Sequence, residues 1–285
     1  MLRDNFRNIF YAIIYFTGFH LIYRWLFQKD KVTILVFHEF SPLYSRKIFN
    51  YLNKKYNIIS LRDYVDYINK NENNEISSLK NKLIITIDDG HKSNYKLFNT
   101  IKDMNLSMTI FLTTGLVGTK KGFWWNNNNS IYNNEFLKKI PDKQRLEILN
   151  NYGFNQKYEL SEREALSYEE IIEMKENFDF QSHSVSHPIL INCNDNKVKK
   201  EIKDSKLFLE KNYNFNIYAF AYPNGDWTKR EESYVKRAGY KCILTTIHGY
   251  NDFKSDVFSL NRISGGTGKS YFETVIKSTG LKLKN

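Results

Sequence analysis

The chain has 285 residues, 41% of them hydrophobic, which suits one large domain, with or without an appendage, and a sizeable buried core. Its formal net charge is +11, but Lys and Asn are spread along the whole length and form no Arg-rich stripe or nucleic-acid motif, so no nucleic-acid partner is expected. The two cysteines, Cys193 and Cys242, form neither a C-x-x-C pair nor a disulfide framework and are expected as buried free thiols.

Residues 1–30 are expected to form a hydrophobic N-terminal helix. Ile9 to Phe27 is nearly all apolar, broken by Thr17, Gly18, His20 and Arg24, and approaches the roughly 20 residues that span a bilayer. A charge at the centre of such a helix costs about 2.5–3.5 kcal/mol, but Arg24 lies close enough to the end to snorkel. No small-residue cleavage site stands out. Three arrangements remain open: a membrane anchor, a helix lying in the interface, and a helix packed on the domain. Arg3, Arg7, Lys29 and Lys31 flank both ends, so orientation is not specified. A membrane-associated or cell-envelope location is expected, with a cytoplasmic one left open.

From Lys31 onward, strands and helices alternate. Lys31 to Phe40 reads as a buried strand ending in His38-Glu39, followed by a helix at 45–56, a short strand at 57–60 and a helix at 61–69 capped by Ser60. Asn71 to Asn81 reads as a polar loop. Leu83 to Asp88 is the next strand, with a helix at 92–104 and a strand at Met108 to Leu112. The pattern then breaks. Residues 115–166, with Trp124-Trp125, an Asn run at 126–129 and helix-like stretches within 134–151, read as an insertion after a strand. Alternation resumes with a helix at 168–177, a strand at 178–182 and a long helix at 195–212. A strand at 218–222, a helix at 229–238 and a strand at 240–246 follow. A last strand at 258–263 and a helix near 270–278 complete the chain. Such alternation argues for parallel βαβ units in a domain spanning residues 31–285.

Chemistry concentrates at strand ends. Asp88-Asp89-Gly90-His91 closes the apolar run Leu83 to Ile87. Two adjacent carboxylates at the mouth of a buried strand are costly without a partner, and a metal ion is an effective one. Ser182-His183-Ser184-Val185-Ser186-His187 adds two imidazoles four positions apart after another strand. One carboxylate and two histidines leave coordination positions open, as a catalytic divalent metal needs, and free the second carboxylate to act as a base.

These residues resemble the NodB-type polysaccharide deacetylases. Thr86-Ile87-Asp88-Asp89-Gly90 is similar to the family's T-F-D-D-G motif, His183 to His187 to its H-S-x-x-H motif, and Phe220-Ala221-Tyr222-Pro223-Asn224-Gly225 to F-R-P-P-Y-G. The order and spacing match as well. Leu35-Val36-Phe37-His38 resembles the L-M-Y-H segment of relatives acting on poly-N-acetylglucosamine. The resemblance implies an α/β fold, an irregular (β/α)7 barrel. It implies Asp89, His183 and His187 as ligands of a divalent metal (Zn2+, with Co2+, Ni2+ or another ion open) and Asp88 as general base.

The resemblance also implies an acid, and no late L-x-H motif supplies one. His38, which ends the first strand in the segment resembling L-M-Y-H, is the leading candidate and His248, in a loop-like stretch, the lesser; first and last strands are neighbours in a closed barrel, so the same space can be reached from either. Ala221 stands where the family has an arginine, and Arg262 is the candidate replacement. Asn224 stands where the family has a tyrosine, but its backbone N–H remains available as an oxyanion donor. Tyr222, Trp124, Trp125 and Trp227 are candidate sugar contacts. The implied activity is removal of N-acetyl groups from an N-acetylated glycan or glycolipid sugar. An O-acetyl esterase, a non-catalytic sugar-binding domain and a membrane-tethered assembly factor are the alternatives.

Overall fold

The computed structural model describes residues 2–70, 80–127 and 130–283. Residues 71–79 of the expected polar loop and 128–129 of the Asn run lie outside the described residues.

The elements follow in chain order. Two helices, α1 (Leu2–Phe16) and α2 (Phe19–Phe27), precede β1 (Val32–Phe37), α3 (Pro42–Lys55), β2 (Asn57–Ile58), α4 (Leu61–Lys70) and β3 (Lys82–Ile87). A 3-10 turn at Lys92–Leu97 leads into α5 (Phe98–Asp103), then β4 (Met108–Leu112). The insertion carries α6 (Asn134–Leu137) and α7 (Asp142–Asn151). After it come α8 (Tyr168–Met174), β5 (Phe178–Ser182), α9 (Asp195–Tyr213), β6 (Ala219–Ala221), α10 (Lys229–Arg237), β7 (Cys242–Leu244), β8 (Ile263–Ser264) and α11 (Tyr271–Ser278).

Local chemistry sets many of these boundaries. Ser60 Oγ accepts the Asp63 N–H at 3.0 Å and caps α4. Reciprocal capping boxes open α8 (Ser167 with Glu170) and α10 (Thr228 with Glu231). Asn214, left-handed at φ 56°, ends α9.

Among the described residues every pairing between these strands is parallel, and seven strands lie in the order β7-β6-β5-β4-β3-β1-β8, with β2 beside β3. The two ends of this sheet meet through one segment. Leu260 bridges in parallel to Leu244 of β7, and three residues later Ile263 and Ser264 pair with Leu35 and Val36 of β1. The sheet therefore curls on itself into the expected irregular α/β barrel. The final strand is shorter than the sequence predicts. Its first part is spent on a turn, with Phe258 and Ser259 donating to Asp256, and the chain then changes partner from β7 to β1.

Alternate residues of a strand fall into different apolar clusters, as the period of two requires. Val32 and Ile34 of β1, Ile84 of β3 and Phe111 of β4 pack together with Leu61, Tyr64 and Val65 of α4. Leu35, Phe37, Ile85, Ile87, Ile110 and Leu112 pack on the other face against α3, α5, α8 and α9.

The apolar N-terminal segment is two helices, not one. They are bent by 73° at Thr17-Gly18, where Gly18 adopts φ 71°. Among the described residues no single helix is long and apolar enough to cross a membrane; the bent pair passes on length and composition together. One face of the pair is docked on the barrel. Tyr15 stacks on buried His20 and packs against Phe272 of α11. Arg24 donates to the Lys55 carbonyl and to Asn81 Oδ1. Buried Gln28 donates to Thr33 and to the Ser278 carbonyl and accepts from Tyr56. Stripping such bonds from buried groups costs about 1–3 kcal/mol each, so the pair belongs to the domain's own packing.

Candidate active site

The two acidic residues sit where β3 ends. Asp88 still follows the sheet, its N–H donating to the Phe37 carbonyl at 2.8 Å. Asp89 then turns off at φ 73°. Gly90 continues the turn at φ +71°, where a Cβ would be strained and would press on Leu112 Cδ2 at 2.5 Å. His183 leaves the end of β5 with its N–H on the Leu112 carbonyl at 2.9 Å. Seven described non-glycine residues have positive φ. Four are asparagines, Asn81, Asn105, Asn214 and Asn224, which tolerate it best; Asn224 and the remaining three, Asp89, Ser184 and His187, all fall in the three motifs. Strain of this kind persists only where surrounding contacts impose it.

Those contacts are present around residues 184–187. Glu201 of α9, nearly buried, accepts the N–H groups of Val185 and Ser186, both at 2.8 Å, and the Ser186 hydroxyl. Ser184 Oγ accepts the His187 N–H at 3.1 Å, and the Trp124 indole donates to the His187 carbonyl at 2.9 Å.

Asp89, His183 and His187 converge, all buried. Asp89 Oδ1 lies 3.5 Å from His183 Nε2 and 3.4 Å from His187 Nε2. His183 Nδ1 lies 2.9 Å from the Ala221 carbonyl, which can only accept, so that nitrogen carries a proton and Nε2 is the one turned toward Asp89. Asp89 Oδ1 is buried without a hydrogen-bond partner. Burial pushes the Asp89 carboxyl up, and burial together with neighbouring His183 pushes the His187 imidazole well below its ordinary range. A divalent cation fits this set. It partners the orphaned oxygen and takes imidazole in the neutral form that burial already favours.

Asp88 faces a different partner. Arg262, buried, reaches it with two parallel bonds, 2.7 Å to Oδ1 and 2.8 Å to Oδ2. Its Nε donates to the Thr245 carbonyl at 2.8 Å, which fixes the guanidinium plane. Burial works against ionisation of Asp88, but Arg262 and then His183 outweigh it and hold the carboxyl down to about 2.

These groups open into a cavity of about 380 Å³. His38, exposed, lies on its wall with Asp88, Asp89, His183 and His187. Asn224, left-handed at φ 59°, is on the wall too, as are Tyr222, Trp124 and Trp125. Two expected residues are elsewhere. His248 Nε2 lies 3.0 Å from the Gly280 carbonyl, and Trp227 stacks on Tyr222 at 5.8 Å. The insertion also supplies Asn134 and Lys138 to the wall. Sequence reasoning missed Glu201 and the Ala221 carbonyl. Nothing in the sequence marks a helix carboxylate that binds a loop 15 and 16 residues away, or a carbonyl that any residue would provide.

A parallel sheet closed on itself, with a buried carboxylate and two imidazoles converging at the carboxyl ends of its strands, defines an α/β barrel with a candidate metal centre. The sequence pattern of the polysaccharide deacetylases matches residues 76–243, more than half of the chain, and the chain belongs to that family. The family is one of carbohydrate deacetylases. No protein of curated function gives a significant match. Among solved structures, a deacetylase of Streptococcus pyogenes, PplD, in complex with acetate, is 21% identical, with 88% of this chain and 99% of that chain covered at a TM-score of 0.63. IcaB from Ammonifex degensii is 16% identical, covering 90% and 99% at a TM-score of 0.64. The BpsB deacetylase domain from Bordetella bronchiseptica is 15% identical, covering 81% and 94% at a TM-score of 0.56. At these identities the likeness is one of fold.

Proposed function

We propose that this chain is a metal-dependent N-deacetylase of an N-acetylated glycan or glycolipid sugar. One observation carries the reading: a three-donor set and a separately clamped carboxylate share one cavity with a histidine on its wall. When bound by Asp89, His183 and His187, a divalent ion such as Zn2+ supplies Lewis acidity toward an acyl oxygen and acidifies water. The chain supplies the rest. Asp88 accepts a proton from the attacking water, with Arg262 holding the carboxylate in one orientation. His38 gives a proton to the departing amine. The Asn224 N–H, fixed by its left-handed backbone, donates to the developing oxyanion; one such donor is worth about 2.7–4 kcal/mol. Trp125, whose ring lies 4.4 Å from that of His187, gives the sugar an apolar wall.

The test follows from the leaving group. An amine departs poorly unless protonated, whereas the leaving group of an activated ester needs little help. Acetate release is measured from short N-acetylglucosamine oligomers and from an activated acetyl ester, with metal content determined on the same samples. His38→Ala should lower kcat/KM on the amide by about 10²–10⁴-fold and spare the ester far more. Equal losses on both substrates remove His38 from the acid role. Ester turnover without any amide turnover in the wild-type chain turns the reading to an O-acetyl esterase.

A further inference from the structure

We infer that α1 and α2 form an in-plane docking surface for an anionic lipid bilayer, so that the barrel rests on the membrane by an apolar face and is not threaded through it. The inference is independent of the reaction catalysed.

The outer face of the pair is bare. On α1, Ile9, Phe10, Ile13 and Phe16 are 57%, 50%, 57% and 78% exposed. On α2, Phe19, Leu21, Ile22, Trp25, Leu26 and Phe27 range from 43% to 63%. Ile9, Ile13 and Phe16 follow one helical stripe, as do Ile22, Trp25 and Leu26. Full burial of an aromatic side chain removes about 150–250 Å². The five half-exposed aromatics alone therefore reach the largest patch of an ordinary monomer, about 300–600 Å², and the aliphatic side chains carry the surface beyond it.

The opposite face is committed to the barrel. His20 and Gln28 are buried, and Arg24 is spent on Lys55, Asn81 and the ring of Tyr56. A continuous span would have to straighten the 73° bend and release these groups.

Charge selects the occupant. Between Asp4 and Asp30 the charged residues are Arg7, Arg24 and Lys29; Arg7 faces Glu273 and Arg24 faces the barrel, which leaves Lys29 as the cation of the outer face. Exposed Lys29 lies over the exposed Trp25 ring, its ammonium 5.0 Å from the centroid, an arrangement that seats an indole at the headgroup level with a cation beside it. Lys54 and Lys55, at the end of α3 beside Arg24, are exposed as well. A second copy of a chain with net charge +11 would bring this cationic rim against its like, whereas an anionic leaflet complements it and accepts the apolar face to a depth of about 5–10 Å.

The full chain is sedimented with phosphatidylcholine vesicles with and without phosphatidylglycerol. It should pellet with the anionic vesicles, more weakly with the neutral ones, and less as salt is raised. Trp fluorescence should be quenched by lipids brominated on the acyl chain, and Trp25→Phe should remove that quenching. The double variant Ile22→Glu/Trp25→Glu, altered only at exposed positions, should lose vesicle affinity by on the order of tenfold or more while keeping wild-type melting. A tag on Met1 should be cut by protease added outside the vesicles. Vesicle binding that the double variant leaves intact, or no binding by the wild type, overturns the inference. So does a protected tag, which means a span, and so does a concentration-dependent dimer abolished by the double variant, which assigns the face to a second copy.

Discussion

A guanidinium that meets a carboxylate through two parallel N–H···O bonds fixes its direction as well as its charge state. Arg262 meets Asp88 this way with both partners buried, and Asp89, its neighbour in sequence, has no such partner on Oδ1. Adjacent carboxylates thus stand in different surroundings. Asp88→Asn should retain metal, measured by stoichiometry after gel filtration, and lose acetate release; Asp89→Asn should lose both. Arg262→Met leaves Asp88 as an unpaired buried charge. It should destabilise the fold by about 3–5 kcal/mol in denaturant titrations, with metal stoichiometry kept below the transition. If Asp88→Asn sheds metal as readily as Asp89→Asn, the division of labour is wrong. What made Arg262 legible in the sequence was a gap, the alanine at 221 where the resemblance called for an arginine. Its meeting with Asp88 spans 174 positions, and no local pattern encodes it.

At the scale of elements, the motif strands were legible because parallel strands buried on both faces read as unbroken apolar runs. The strands at Phe178–Ser182 and Met108–Leu112 have the expected limits. The N-terminal break was not, because a single Gly18 within an apolar run is also common inside continuous helices; only its left-handed φ makes the bend. Equally hidden was α9's part in the site. Glu201 holds the turn between the two histidines by three bonds to Val185 and Ser186, while Ser184 and His187 sit at φ 66° and 53°. It touches no expected ligand atom and acts by position. Glu201→Gln keeps the size but has one oxygen where three donors converge, and it sets an amide NH2 among them. Metal affinity should drop by about 10–100-fold in chelator competition, and saturating metal should restore kcat. Unchanged affinity with lowered kcat would show that the clamp serves something other than the ligand set.

At the scale of the whole molecule, the segment that closes the barrel is also the one that brings Arg262 to Asp88. The segment from Val257 to Ser264 bonds first to β7, through Ile243 and Thr245, and then to β1. Arg262 projects from the point where it changes partner, with its backbone N–H on the Ile247 carbonyl at 3.0 Å and its side chain on Thr245 and Asp88. Asp89 and His183, by contrast, leave β3 and β5, which lie either side of β4 in the body of the sheet. The ligand set should therefore tolerate a loosened seam better than the base does. Leu260, fully buried at the seam, offers the test. Leu260→Ala removes apolar contacts without touching a polar group and should cost about 2–5 kcal/mol, read as a lowered denaturation midpoint at unchanged slope. Well below that midpoint the variant should hold metal with near wild-type affinity. Its kcat should fall, because an Arg262 free to shift no longer fixes Asp88. Adding Asp88→Asn should then cost the Leu260→Ala background less activity than it costs the wild type, since both act through one carboxylate. Full additivity, or a loss of metal affinity parallel to the loss of kcat, would mean that the seam supports the whole rim alike and that Arg262 has no separate hold on the base.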